Sequence, residues 1–182
     1  MRNHDTIMIA VKKIIIWFFD FLLLTSGILY DQQSLAVKVL GIAIEGNTIT
    51  DANMIRLSAG IAPGTEITGE NIQDAIKQLW RMDLFSDVEV WVDREVAEGV
   101  YLTIKVKEYP RLEKVELEGN KKLKKDDIEK TLNFYSGQVV SPTLLARAKT
   151  KLLEKYKEKG YLLADVTTTT SPGVVDSNRV IV

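Results

Sequence analysis

Apolar and polar positions along the chain follow three different rhythms. From Ile14 to Leu24 the residues are almost continuously apolar, broken only by Asp20, and Thr25 to Tyr30 extends the block. Further on, Val88, Val90 and Val92 alternate with Asp87, Glu89, Trp91 and Asp93, which predicts a half-buried strand over 86–93. Val100, Leu102, Ile104 and Val106 alternate in the same way after a loop holding Gly99. Val37 to Glu45 is rich in β-forming residues and ends at Gly46-Asn47, a turn signal. Between these strands the rhythm becomes helical. Asp51 to Ala59 reads as a short helix, and Thr68 reads as the N-cap of a second, with Ile72, Ala75, Ile76 and Leu79 on one face. One apolar sheet face and a pair of helices make a two-layer α+β unit.

The same order then recurs. Ile42-Ala43-Ile44-Glu45-Gly46-Asn47 lies 73 residues before Val115-Glu116-Leu117-Glu118-Gly119-Asn120. At that offset Ile55 matches Ile128, Gly64 matches Gly137, Thr68 matches Ser141 and Ala75 matches Ala148. A later slip of five residues, at the end of a helix, sets Phe85-Ser86-Asp87-Val88 against Leu163-Ala164-Asp165-Val166. The second copy is therefore expected as a strand over 112–118, a helix over 125–132 and a helix opened by Ser141-Pro142 and closed at Gly160. A strand over 161–170 and a last one from about Arg179 should follow. The division is 37–109 for the first unit and 110–182 for the second, whose last strand reads as truncated, as in a fragment. The short link Glu108-Tyr109-Pro110-Arg111 predicts a semi-rigid tandem.

Residues 1–36 have the layout of an exported leader. Arg2, Lys12 and Lys13 precede the apolar block, and Ser34-Leu35-Ala36 offers small residues for cleavage after Ala36. An apolar signal helix is expected there, with an uncleaved anchor as the alternative.

Composition removes most chemistry. The chain has no cysteine, and its one histidine is His4, so thiolate and imidazole catalysis or metal binding are not expected. A net charge of −1 gives no bulk attraction to nucleic acid. Asp126, Asp127 and Glu129 suit the first turn of a helix, and Lys121, Lys122, Lys124 and Lys125 suit a solvated turn. No enzyme, cofactor or metal is expected.

Recognition through backbone remains. If the first strand joins the last, the middle strand becomes an edge, able to take an extended peptide by β-augmentation. The candidate partner-binding residues are Val88, Glu89, Val90, Trp91 and Val92, with Tyr101 on the outward register of the next strand. Gly46, Asn47, Gly119 and Asn120 are expected to be structural turn residues.

Four elements carry a family resemblance: the Gly-Asn turn, Phe85-Ser86-Asp87-Val88, the Glu108-x-Pro110 closure, and Lys159-Gly160-Tyr161. In this order, repeated after an export signal, they resemble the tandem POTRA (polypeptide-transport-associated) domains of the outer-membrane β-barrel assembly protein family. The resemblance implies β-α-α-β-β units, each a three-stranded mixed sheet with two helices on one face. It also implies further POTRA units and a C-terminal outer-membrane barrel beyond this sequence. The implied role is a periplasmic scaffold for unfolded outer-membrane proteins, docking accessory assembly lipoproteins and periplasmic chaperones, with no nucleic acid involved. Two alternatives stay open: a POTRA-containing pore of two-partner secretion or translocation-module relative, and a divisome-type single-pass POTRA protein.

Overall fold

The computed structural model describes residues 36–175 and 178–182. The expected signal helix lies outside the described residues.

The first unit runs β1 (Val37–Glu45), α1 (Ala52–Ala59), β2 (Glu66–Ile67), α2 (Gly69–Arg81), β3 (Phe85–Val96) and β4 (Gly99–Glu108). The helices begin where side chains satisfy their free amides. Asp51 accepts from the amides of Asn53 and Met54 at 2.9 and 3.1 Å, and Thr68 forms a capping box with Asn71. α1 ends at Gly60 in the left-handed conformation. The sheet order is β2-β1-β4-β3, with β1 and β4 parallel and β3 and β4 antiparallel. The expected three strands are thus joined by a fourth, the two-residue β2, which pairs with the start of β1. Ile55, Ala75, Leu79, Phe85, Val39 and Ile104 form a core with no more than 1% of any of them exposed.

The second unit runs β5 (Arg111–Lys114), α3 (Lys125–Leu132), α4 (Pro142–Glu158), β6 (Ser171–Pro172) and β7 (Arg179–Ile181), with sheet order β5-β7-β6. The 73-residue offset reappears bond by bond. Val39 and Thr65 share an amide–carbonyl bond at 2.9 Å, as do Leu112 and Gln138 at 2.7 Å. The amide of Gly64 returns to Val39 at 2.7 Å, and that of Gly137 to Leu112 at 2.7 Å. Even the bulges coincide: the register shift between Val39 and Gly41 recurs between Leu112 and Lys114.

Two expectations fail in this unit. The strand predicted over 161–170 does not form, and only Ser171–Pro172 pairs with β7. The strand predicted over 112–118 is reduced to Arg111–Lys114. The cause is common to both. β7 is three residues long, so among the described residues the β-branched run Thr167 to Thr170 joins no ladder, and Val115 to Glu118 is met by the Val182 carbonyl at the Glu116 amide, at 2.8 Å, without forming a strand. A strand's polar backbone needs a partner as well as propensity. Leu163, the counterpart of the fully buried Phe85, is consequently 99% exposed.

Candidate functional site

Among the described residues β3 is the outer strand of the four-stranded sheet, hydrogen-bonded to β4 on one side. Its inward residues Phe85 and Val88 are buried and Val90 half-buried, which anchors the strand against α2. The amide of Val88 is met by the Oδ1 of the neighbouring Asp87 at 2.9 Å. This is a way for an edge to shield itself with a carboxylate rather than with another strand. By the two-residue period of a strand, the amide and carbonyl of Val90 face the same side as those of Val88.

The predicted site residues divide into two groups. Val88, Glu89, Val90, Trp91 and Val92 share this edge. Trp91 is 58% exposed, and its indole Nε1 donates to Glu89 Oε2 at 2.7 Å, so the ring lies tethered along the strand. Val92 departs from the inward register predicted for it: it is 56% exposed although it pairs with buried Leu102. A bulge follows between Val92 and Arg94, where the strand bends and the alternation slips.

Tyr101 belongs to a different arrangement. It lies opposite Arg94, while Trp91 lies opposite Thr103, so the two aromatic residues are not cross-strand partners. The Tyr101 ring instead covers Gly41 of β1, and the Arg94 guanidinium sits over it at 4.3 Å from the ring centre. Beside it the hydroxyl of Thr103 donates to Asp93 Oδ2, tying the bulge to β4.

Gly46 and Gly119 both have positive φ, at 80° and 71°. After each, an asparagine amide reaches three residues on: Asn47 to the Thr50 carbonyl at 2.9 Å, Asn120 to the Leu123 carbonyl at 3.4 Å. In the first unit the turn is held by a residue whose role sequence reasoning missed. Glu108, at the end of β4, accepts from the amides of Thr48 (3.2 Å), Ile49 (3.1 Å) and Thr50 (2.7 Å) and from the Thr48 hydroxyl (2.8 Å). Burial alone would raise its pKa, but the bonds from Thr50, Thr48 and Ile49 outweigh that and hold it below the ordinary 4.5. The signal was its place in Glu-x-Pro. Among the described residues, no group of three or more His, Cys, Asp or Glu could hold a metal ion, and no helix is long and apolar enough to cross a membrane.

Residues 37–109, and again residues 110–182, match the family model of POTRA, the surface antigen variable number repeat. The chain belongs to the POTRA family. Over 129 residues, 71% of the chain, this POTRA pair is 30% identical to the outer membrane protein assembly factor BamA of Nitratidesulfovibrio vulgaris. It spans only 16% of that relative's length, and it resembles the N-terminal POTRA domains of BamA. Its fold is similar to the N-terminal domain of Omp85 from Thermosynechococcus elongatus, with TM-score 0.63, 24% identity, and 81% of this chain and 61% of that one covered. POTRA1-3 of Omp85 from Anabaena gives TM-score 0.57 and 19% identity over 81% and 60% of the two chains.

Proposed function

We propose that this POTRA tandem is a polypeptide-binding scaffold of an outer-membrane protein assembly factor, exported by its N-terminal segment and facing the periplasm. Extended segments of unfolded outer-membrane proteins add to β3 as a further strand. Backbone groups at Val88, Val90 and Val92 supply the affinity, and the exposed faces of Trp91 and Val92 supply contact area. Accessory assembly lipoproteins and periplasmic chaperones are the other partners of this scaffold, and a C-terminal barrel of the parent protein holds it at the outer membrane.

One observation carries the reading. β3 is a twelve-residue edge on which Trp91 and Val92 expose aromatic and aliphatic surface between the charged residues Asp87, Glu89 and Asp93, long enough to take an added strand. Recognition through main chain suits clients defined by strand character more than by sequence. The test places a photoreactive residue at Val90 and, as control, at exposed Lys77 on α2, then adds an unfolded outer-membrane barrel protein. The reading requires adducts from position 90 and few from position 77. Equal yields at both, or none at 90, would contradict it.

A further inference from the structure

The helices α2 and α4 are counterparts in the repeat, and they differ where the two units meet. Both close in the same way. The residue after the C-cap is left-handed in each: Gly160 at φ 85° after α4, Asp83 at φ 56° after α2. Glycine takes that conformation without steric cost, and a residue with a Cβ does not. Among the described residues the Asp83 carboxylate accepts no bond from its own unit. Its partner is the Ser141 hydroxyl of the second unit, at 2.7 Å.

The helix starts differ in a complementary way. Thr68 and Ser141 are matched N-caps 73 residues apart, and Asn71 and Leu144 follow at the same spacing. The Thr68 hydroxyl donates to Asn71 Oδ1 at 3.1 Å, inside its own capping box. Leu144 offers no side-chain acceptor. The buried Ser141 hydroxyl therefore accepts from the Leu144 amide but turns its proton towards Asp83.

The linker is fastened beside this bond on both sides. The amide of Tyr109 donates to the carbonyl of Leu84, next to Asp83, at 2.9 Å. The amide of Val140, next to Ser141, donates to the carbonyl of Pro110, also at 2.9 Å. That leaves the Tyr109–Pro110 step as the pivot, and the Asp83–Ser141 bond spans it.

We infer that Asp83 is a positioning residue whose bond to Ser141 latches the angle between the two units, so that a partner meets them as one rigid body. A role within the first unit does not account for an aspartate where glycine fits better, whereas a role across the joint does. Domains of one chain move relative to one another unless their contact resists it, and this bond supplies the resistance. The latch is independent of what binds at β3.

The chain has no cysteine, so Lys77→Cys on α2 and Lys151→Cys on α4, both at exposed positions, take spin labels in the full chain without competing thiols. Pulsed EPR should give one narrow distance distribution for the doubly labelled parent. Asp83→Gly and Asp83→Ala should each widen it about twofold or more, because relative motion returns once the latch is gone. The longer Asn178–Thr48 bond, 3.2 Å, then remains across the joint. Asp83→Asn keeps an acceptor oxygen and should retain the parent width. In urea, Asp83→Gly should unfold at a higher midpoint than Asp83→Ala, since both lose the carboxylate and only alanine keeps the left-handed penalty. The same width in Asp83→Gly as in the parent, or as wide a distribution in Asp83→Asn as in Asp83→Gly, would overturn the inference. So would a urea midpoint for Asp83→Gly at or below that of Asp83→Ala, for Asp83 would then carry no local cost that a role across the joint must explain.

Discussion

The Ser141 hydroxyl donates to Asp83 Oδ2 at 2.7 Å while accepting from the Leu144 amide at 3.1 Å. One side chain, 1% exposed, thus caps α4 in the second unit and bonds to the turn that follows α2 in the first. Asp83 has a positive φ of 56°, unusual for a residue with a side chain. Asn178 makes another tie between the units, donating to Thr48 Oγ1 at 3.2 Å.

Ser141→Ala removes the cap and the inter-unit bond together, and is expected to lower stability by about 1–2 kcal/mol. Asp83→Asn keeps an acceptor for the hydroxyl and should cost less. Denaturant midpoints of the two variants, compared with the parent chain, check the order.

Glu108→Ala leaves the amides of Thr48, Ile49 and Thr50 without their carboxylate, and the expected loss is about 3 kcal/mol. Glu108→Gln keeps one oxygen and should lose less. The pH dependence follows from the lowered pKa. The folded chain binds this proton less readily than the unfolded one, so the stabilisation is complete above the ordinary 4.5. It is lost as the pH falls through the folded value. Urea midpoints measured downward from pH 6 should show a decline in the parent that is shallower in Glu108→Gln.

The two Gly-Asn turns should respond unequally. A Cβ at Gly46 would lie 2.1 Å from the Val106 carbonyl oxygen, whereas one at Gly119 meets nothing within 4 Å. Gly119→Ala therefore carries only the positive-φ penalty of about 1 kcal/mol, and Gly46→Ala adds a backbone clash. Thermal unfolding should place Gly46→Ala well below Gly119→Ala.

Trp91→Ala is expected to change stability by no more than about 0.5 kcal/mol, because the ring is mostly exposed. Its effect should appear in capture of an unfolded barrel protein, measured as crosslinking yield from Val90. A large loss of stability with unchanged capture would make the ring a structural cover only.

The first unit was largely legible in the sequence because its local signals agree. Thr68 does cap a helix, Ile55, Ala75 and Leu79 do face one core, and the alternation over 100–106 does mark the central strand. What periodicity missed depended on distant partners. Thr167 to Thr170 has strand propensity but joins no ladder among the described residues, and alternation alone could not reveal the bulge after Val92. The separation of Trp91 from Tyr101 is set by cross-strand register, which a one-residue shift changes. The bonds from Thr48, Ile49 and Thr50 to Glu108 span about 60 positions and belong to the closed fold.

The claim that β3 is the client-binding edge is tested most directly by titrating the labelled chain with an extended segment of an outer-membrane β-barrel protein and following backbone amides. Strand addition predicts that Val88, Val90 and Val92 shift together and gain protection from exchange, while the adjoining faces of α1 and α2 change little. Saturable binding that leaves these three amides unaltered and perturbs the helices instead would contradict it.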